Sequence, residues 1–500
     1  MPRRQDAGNE RVEYVDLTEY LDHRLVPLSG TQVDTLFWCV GQHAVRYPTR
    51  IPDQEIFDHN VKHIESGQDP LRIVVEFCRD QGYEMFASLR MNDTHDATTG
   101  DDDTYKVKRD HPDWLVGPRP VDKPASFERP GMLRSYVDRL DMAGWYYTAL
   151  DYDCPQVRDR FFAVVEEVCA RYDVDGMELD FLTHPMYFSS SLQGRVADAS
   201  QVACMTGFIR RIRQRMLQLA DERGRALALA VRVPRTIEQG MFLGLDVQTW
   251  MQDRLIDIVV PGGRCCPLSI PVGDWVKRGH ACGVQVYPSQ GGFSCPERTC
   301  GHAMHSWSQG ADGIYLFNFF VGSFDPGGQA AQAGHDVLCE IGDVEAIAHR
   351  DKLYEITPGG PERVWASGRH ISQRHLPVEL NPGKGQRSCN LPLVVGDELP
   401  GVRMAEMKME FDFLGMTPGD EITIQVNGQT VDAPVCEPLA ATATGQSRLT
   451  SRPGAPPLRQ GENRLEVTLT RRGPAGAAST QPLVLDQVRM WVRYKTPGNG

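Results

Sequence analysis

The sequence has no apolar run long enough to span a membrane and no excess of positive charge. Its 53 lysines and arginines stand against 66 aspartates and glutamates, which gives a formal net charge of −13. This balance argues against a surface that binds nucleic acid or anionic lipid, and no membrane-spanning helix is expected. The first twenty residues hold two arginines but no apolar segment. We therefore expect no secretory signal and a cytoplasmic location.

Cysteine motifs and a dinucleotide fingerprint are also missing. The 13 cysteines show no C-x-x-C spacing, so we expect reduced thiols rather than disulfides or a zinc site. Cys39, Cys169 and Cys204 should act as small hydrophobic residues inside the fold. No G-x-G-x-x-G opens the first βα turn, which makes a doubly wound sheet the second choice of fold. We expect no cofactor.

The sequence does contain an alternation of strand-like and helix-like segments from about residue 31 to residue 345. Eight segments are typical of strands: VDTLFWCV, YEMFASLRM, WYYTALDY, VDGMELDF, ALALAVRVP, IDIVVPGG, GVQVYPS and DGIYLFNFF. Between them lie segments with helical period, such as ASQVACMTGFIRRIRQRMLQLADERG, which Gly224 closes as a C-cap. Eight strands with intervening helices predict an α/β fold, a (β/α)8 TIM barrel.

After residue 345 the helical period disappears and short alternating runs follow. MKMEFDFLG, DEITIQVNGQTVDAPV, NRLEVTLTRR and LDQVRMWVRY are separated by glycine, proline and asparagine. Asn427-Gly428 is a tight hairpin signal. We therefore predict a barrel domain over residues 1–345 and a jelly-roll-like β-sandwich domain over residues 346–500.

The segment YDVDGMELDF carries two carboxylates inside an otherwise apolar strand. Side chains alternate across a strand, so Gly176, Glu178 and Asp180 share one face while Met177 and Leu179 share the other. In a barrel the apolar face meets the helices and the other face points inward. Both carboxylates should then lie at the C-terminal end of the strands, where the active sites of such barrels occur.

At least four other predicted strands also have a polar residue at an inward-facing position near their C-terminal end. We expect these residues to gather around Glu178 and Asp180, with the two arginines able to neutralise the carboxylates as a buried ionic cluster. The expected site comprises Arg90, Asn92, Asp151, Arg232, Tyr287 and Asn318.

Loop residues could complete this site. His95 and His184 are candidates to touch a ligand, and Trp38 could stack on a sugar ring or fill the barrel mouth. The segments NDTHD (92–96) and GDDDT (100–104) could hold a divalent cation, but their spacing matches no EF-hand. A charged, solvated loop is favoured, so no metal site is expected.

Four segments carry a family resemblance. FASLRMNDTHD, LDYDCPQVRDRFF, VDGMELDF and DGIYLFNFF resemble, in that order, the barrel of the family-10-like glycosyl hydrolases of bacteria, over roughly residues 30 to 340. The resemblance implies a carbohydrate-active barrel with an acidic residue closing the fourth strand, matched here by Glu178 and Asp180. True family 10 xylanases carry a nucleophilic glutamate after the seventh strand, but here that strand ends VYPSQ, without a carboxylate.

The expected activity is glycoside hydrolysis, with Asp180, Glu178 and Asp151 as catalytic residues. Asp180 could be the general acid with Asp151 as base or nucleophile, or Glu178 and Asp180 could together assist a substrate acetamido group. The alternatives are metal-assisted lyase or isomerase chemistry, and a glycan-binding protein without catalysis. We expect a carbohydrate substrate and no nucleic-acid or membrane partner, and self-association into a homo-oligomer stays open.

Overall fold

The computed structural model describes residues 17–96, 105–118, 146–262, 270–291, 295–319, 329–356, 376–399, 404–431, 435–438, 446–451, 457–478 and 482–495. The GDDDT segment (100–104), considered above for a divalent cation, lies outside these ranges. Within them, an α/β region is followed by an all-β region.

The α/β region is built on six parallel strands in the order β1-β2-β3-β4-β5-β6. Their bounds are Thr35–Gly41, Glu84–Arg90, Gly176–Asp180, Ala228–Pro234, Ile258–Gly262 and Gln285–Val286. Two further strands, β7 and β8, form a separate parallel pair. They comprise Ser289–Gly291 and Tyr315–Phe317.

The described part of the third predicted strand WYYTALDY, residues 146–152, does not join the sheet. β2 pairs directly with β3, and residues 146–150 form a turn that ends in an isolated bridge between Leu115 and Leu150. The Asn92 side chain donates to the Leu150 carbonyl at 2.9 Å and accepts from its N–H at 3.0 Å. The prediction was wrong because this side chain satisfies backbone groups that a neighbouring strand would otherwise have to pair.

Helices occupy the intervals between the strands. They are α1 Leu17–Arg24, α2 Asp58–Glu65, α3 Pro70–Gln81, α4 Lys106–Asp110, α5 Pro155–Arg171, α6 Ser189–Leu192, α7 Ala199–Arg223, α8 Ile237–Phe242, α9 Val247–Gln252, α10 Val272–Cys282, α11 Pro296–Trp307, α12 Gln329–Leu338 and α13 Val344–Ile347. Asp198 and Gln201 form a capping box at the start of α7, and Gly224 ends it with φ +67°. The predicted glycine C-cap is confirmed.

The alternation of side chains along the strands separates two layers. Met177 and Leu179 of β3 are fully buried in the main core with Phe161 of α5 and Ile209 of α7. The opposite, inner face carries a smaller aromatic cluster, in which the Phe37 ring lies 4.7 Å from Phe86 and 5.0 Å from Tyr315. The inner faces of β1 and β8 therefore meet, although the described residues include no ladder between these two strands.

Gly176 is required where β3 passes the aromatic ring of Phe86. A Cβ atom at position 176 would lie 2.3 Å from the Phe86 ring and 2.5 Å from the Ala228 carbonyl oxygen. Gly176→Ala should therefore lower the free energy of unfolding by about 1–3 kcal/mol, because neither neighbour can retreat without strain. Chemical denaturation measures this, with Gly207→Ala as the control, since a Cβ there meets nothing within 4 Å. An unchanged midpoint for Gly176→Ala would contradict the packing.

The all-β region consists of two packed sheets, as the sequence pattern predicts. One has the order β10-β18-β12-β16-β15, with β9 also paired to β18, and the other has the order β11-β17-β13-β14. A single core that includes Phe411, Leu465 and Leu485 fills the space between them. The strands are β9 Lys352–Ile356, β10 Val378–Leu380, β11 Ser388–Val395, β12 Met404–Leu414, β13 Glu421–Val426, β14 Gln429–Thr430, β15 Val435–Pro438, β16 Gln446–Thr450, β17 Gly461–Arg471 and β18 Leu483–Tyr494, with a short helix at Pro474–Ala478.

The described helices and cysteines bear on two expectations from the sequence, that no helix spans a membrane and that the thiols are reduced. No helix among them combines the length and apolar character that crossing a membrane requires. Cys39, Cys169 and Cys204 are free, as are the other cysteines whose environment is described. Burial raises the pKa of Cys169 to about 12, so this thiol should be unreactive.

Candidate active site

Ser88, Glu178, Asp180, Arg232 and Tyr315 meet on the inner face of the sheet, and we call them the inner cluster. Glu178 Oε1 accepts from the Ser88 hydroxyl at 2.5 Å and from the Tyr315 hydroxyl at 3.2 Å. Its other oxygen, Oε2, is buried without a hydrogen-bond partner among the described residues. The parity of β3 thus places Glu178 inward, as the sequence predicts.

The environment of Glu178 favours its protonated form. Burial raises the pKa of this carboxyl to about 7, and the negative charge of Asp180 acts in the same direction. The hydrogen bonds from Ser88 and Tyr315 and the charge of Arg232 oppose the rise without cancelling it. A carboxyl with a pKa near neutrality can give or take a proton at the pH of most cells, as general acid or base catalysis requires.

Every oxygen of the Asp180 carboxylate accepts at least one hydrogen bond. Its Oδ1 accepts from the N–H groups of Leu182 and Thr183 at 2.8 and 3.1 Å and pairs with Arg232 Nη1 at 3.0 Å. Its Oδ2 accepts from the Thr183 hydroxyl. The residue is only 2% exposed. Asp180 therefore holds the turn after β3 and the Arg232 guanidinium, and like Glu178 it is shielded from solvent.

One of the two arginines has the expected partner and the other does not. Arg232 pairs with Asp180, and its guanidinium stacks 3.6 Å from the centre of the Phe317 ring. Arg90 reaches Asp93 Oδ2 at 3.4 Å and Gln42 Oε1 at 3.3 Å. No described hydrogen bond or ion pair joins either arginine to Glu178. The predicted cluster of both arginines with both carboxylates is therefore divided into two separate ion pairs, and Glu178 is bonded only by the hydroxyls of Ser88 and Tyr315 among the described residues.

Arg90, Asp93, His95 and His184 form a second group at the C-terminal edge of the sheet, which we call the edge cluster. His95 Nδ1 lies 2.9 Å from Asp93 Oδ2, and His184 Nδ1 lies 3.7 Å from the same oxygen. Despite the cost of burial, the two imidazoles hold the pKa of the Asp93 carboxyl well below its usual range. The His95 side chain is 51% exposed and that of His184 14%, so this cluster faces solvent while the inner cluster does not.

Asn92 supports these clusters without facing a ligand. Its side chain, 0% exposed, donates to the carbonyls of Leu150 and Met186 at 2.9 and 2.6 Å. The predicted role in substrate binding does not fit this burial. Asn92 instead ties the loop after β2 to the loops that contain Leu150 and Met186.

Trp38 and Asn318 do not lie where the sequence analysis expected them. Phe37 faces inward, so its neighbour Trp38 lies on the helix-facing side and packs against the main core. Tyr315 and Phe317 likewise take the inward positions of β8. Asn318 follows that strand as an exposed residue with φ +52°. Strand parity excludes Trp38 from the inner face, and Asn318 lies one residue beyond the end of β8.

Tyr287 points to the other end of the sheet. Its hydroxyl lies 3.5 Å from Gln285. Burial raises the pKa of Tyr287, and the carboxylates of Asp34, Asp312 and Glu84 raise it further. Asp34 and Glu84 stand at the start of β1 and β2, and Asp312 precedes β8. The hydroxyl therefore lies among the N-terminal ends of the strands, away from Asp180.

Asp151 lies in a loop and not at the end of a strand. Its two oxygens accept from the N–H groups of Asp153 and Ser189 at 2.9 and 3.2 Å. Burial raises its pKa. No described hydrogen bond or ion pair links it to Glu178 or Asp180, so the structure does not bring Asp151 into direct contact with the inner cluster.

Three members of the two clusters were not singled out from the sequence: Ser88, Asp93 and Tyr315. Ser88 and Tyr315 occupy inward positions of β2 and β8, so strand parity alone could have found them. Asp93 lies within the quoted segment NDTHD, between Asn92 and His95. Its role depends on His184, ninety-one residues later, and no local pattern indicates that contact.

The raised pKa of Glu178 predicts a specific pH dependence of stability. Between pH 4.5, the ordinary value, and about 7 the folded state keeps a proton that the unfolded state releases. The free energy of unfolding should therefore fall as pH rises through this window, by on the order of 3 kcal/mol from this group. Urea denaturation of wild type and Glu178→Gln between pH 4 and 8 measures it. The variant should lack this loss, and parallel curves for the two proteins would contradict the raised pKa.

Comparison with known proteins gives only distant similarities. No protein-family model and no curated protein matches the chain. One similar structure is a GH36 alpha-galactosidase from Geobacillus stearothermophilus in complex with raffinose, with 9% sequence identity and a TM-score of 0.36. The alignment covers 92% of this chain and 54% of the galactosidase chain. A family GH18 chitinase from Chromobacterium violaceum is 10% identical with a TM-score of 0.28, covering 86% and 79%. An alpha-amylase from Malbranchea cinnamomea is 10% identical with a TM-score of 0.28, covering 93% and 90%.

The chain therefore spans about half the length of the galactosidase. At these identities and TM-scores, the likeness does not assign a reaction or a catalytic residue to this chain.

Proposed function

We propose that the protein is a glycoside hydrolase that cleaves an oligo- or polysaccharide by carboxyl acid/base catalysis at the C-terminal ends of the parallel strands. The observation that carries this proposal is Glu178, an inward-facing carboxyl with a pKa of about 7. Departure of a sugar from a glycosidic oxygen needs a proton donor, and a carboxylic acid that keeps its proton near neutral pH supplies one. Glu178 takes this role in place of Asp180.

The surroundings of Glu178 support a function in proton transfer. Ser88 and Tyr315 fix its Oε1, and this leaves Oε2 as the oxygen that would carry the proton to a substrate. Asp180 contributes the negative charge that raises the Glu178 pKa, and Arg232 keeps Asp180 in position. Because Glu178 is 0% exposed, a substrate would reach Oε2 only after the covering side chains move.

The second carboxyl of the reaction is assigned to Asp180, with Asp151 as the alternative. Asp180 lies two residues from Glu178 on the same face of β3, whereas Asp151 is in a separate loop. The Asp180 oxygens are occupied by backbone and hydroxyl donors. These bonds suit a carboxylate that stabilises positive charge on the sugar or orients water.

The proposal extends to the architecture. We assign residues 1–345 to a catalytic domain of the (β/α)8 type and residues 346–500 to an accessory β-sandwich. The contact between the Phe37 and Tyr315 rings supports a wall in which β1 and β8 approach each other. The separate apolar core of the sandwich supports the division, and β9, which begins at Lys352, agrees with the boundary.

A screen of α- and β-linked oligosaccharides and polysaccharides tests this function. The wild-type protein should release reducing ends from at least one substrate class, and Glu178→Gln should not. Asp180→Asn and Asp151→Asn, assayed on the same substrate, identify the second carboxyl by the larger loss of rate. Binding of a glycan without any cleavage would instead favour a binding protein.

A further inference from the structure

We propose that Asp93, His95 and His184 bind a divalent transition-metal ion at the C-terminal edge of the parallel sheet. Each residue offers one ligand atom, and these three atoms all lie within 4.8 Å of one another. They form the one such group among the residues that the structure describes. The proposal does not involve Glu178, so metal binding and glycan hydrolysis can succeed or fail independently.

The distances in the edge cluster match those of a metal site. A tetrahedral ion with ligands at 2.0–2.1 Å has ligand atoms about 3.3 Å apart. Asp93 Oδ2 lies 2.9 Å from His95 Nδ1 and 3.7 Å from His184 Nδ1, on either side of that value. The two imidazole rings are 4.5 Å apart and steeply inclined. All three ligand atoms lie within 4.8 Å of one another, so side-chain rotations would have to bring them together around an ion.

The hydrogen bonds of His184 prepare it as a ligand. The Thr94 N–H donates to His184 Nδ1 at 3.0 Å, so the lone pair of the ring is on this nitrogen. His184 Nδ1 also faces Asp93 Oδ2 at 3.7 Å, which is too long for a direct hydrogen bond. A cation satisfies both, and on binding it would take the lone pair from the Thr94 N–H.

Asp93 is held rigidly from its backbone side. Its carbonyl oxygen lies 2.7 Å from Lys108 Nζ and 3.0 Å from His43 Nε2. Lys108 in turn pairs with Asp96 at 2.9 Å, and both side chains are almost fully buried. These bonds fix the Asp93 main chain before any ligand binds, which lowers the cost of organising a metal site.

The nearby charge limits the affinity. Arg90 Nη1 lies 3.4 Å from Asp93 Oδ2 and competes with a cation for the carboxylate, whereas the Lys108 charge is balanced by Asp96. Removal of the Arg90 charge should therefore tighten metal binding, by about tenfold or more at the dielectric of a partly buried site. Two imidazoles and one carboxylate favour Zn²⁺, Co²⁺ or Fe²⁺ over Mg²⁺ and Ca²⁺, which prefer oxygen ligands.

Isothermal titration of the chelator-treated full chain with Zn²⁺ tests the site. We expect one saturable equivalent that Asp93→Asn and His184→Gln weaken at least tenfold. His95→Gln should do the same, and because this side chain is half exposed the variant should fold normally. Arg90→Met should bind Zn²⁺ more tightly than wild type.

His280→Gln is the matched control. His280 Nε2 lies 2.9 Å from Asp312 Oδ2 in an exposed imidazole–carboxylate pair that belongs to no three-residue group in the described part of the chain. This variant should bind Zn²⁺ like wild type. The proposal is overturned if no saturable binding occurs up to about 1 mM Zn²⁺, or if the three ligand variants bind as wild type does. If Zn²⁺ bound to cysteines instead, the three ligand variants would bind it as wild type does.

Discussion

Glu178→Gln should lower kcat/KM for glycan hydrolysis by about two to four powers of ten, the usual contribution of a general acid. The amide keeps the shape of the side chain and can still accept from Ser88 and Tyr315, but it cannot transfer a proton. Because Glu178 has no ion-pair partner among the described residues, the variant should fold and bind glycan like wild type. The loss should therefore appear in kcat more than in KM.

Glu167→Gln is the control for this experiment. Glu167 is also largely buried, but it accepts from Thr49 Oγ1 and the Arg50 N–H, both at 2.6 Å, and it pairs with Arg171. These donors lower its pKa, so the amide should cost stability and leave the turnover of the folded protein intact. Equal turnover for Glu178→Gln and wild type would assign the chemistry to another residue.

Asp397→Asn should destabilise the β-sandwich by about 3–5 kcal/mol, because it leaves a buried lysine without its partner. Lys352 Nζ lies 2.9 Å from Asp397 Oδ1, and the two side chains are 0% and 1% exposed. Asp397 also accepts from the hydroxyls of Tyr354 and Tyr494. For a domain of this size the Tm of the sandwich should fall by on the order of 10 °C, which differential scanning calorimetry measures.

Two further variants test the physical cause of that loss. Glu421→Gln breaks an ion pair with Arg471 in which both side chains are more than half exposed, and it should change the Tm little. Asp397→Leu combined with Lys352→Met removes both buried charges and should recover part of the stability lost by Asp397→Asn. A double variant less stable than Asp397→Asn would show that the tyrosine hydrogen bonds dominate.

The period of two along a strand could be read from the sequence, and it placed part of the site correctly. Alternation in VDGMELDF and ALALAVRVP indicated that Glu178, Asp180 and Arg232 face inward, and they do. The same rule, applied to β1, would have excluded Trp38, because Phe37 has the inward position. The face on which a side chain lies depends only on its position along its own strand, so it can be predicted from local sequence.

Two features could not be predicted from local sequence: which residues pair with each other, and whether a strand-like segment joins the sheet. Both depend on contacts between residues that are far apart in the chain. WYYTALDY alternates like a strand, yet the Asn92 side chain takes the hydrogen bonds of Leu150. Arg90 is two residues beyond Ser88 on β2, but it pairs with Asp93 and not with Glu178. Asp93 in turn depends on His184 from the loop after β3. Each of these outcomes is decided by loops that meet only after folding.

The pH dependence of kcat/KM for glycan hydrolysis tests the central claim most directly. If Glu178 is the proton donor, the wild-type rate should fall as pH rises through about 7, since the acid must keep its proton to work. Glu178→Gln should lose this limb of the profile along with most of the rate. A wild-type rate that stays constant from pH 6 to 9, or a Gln variant with the same limb, would contradict the account.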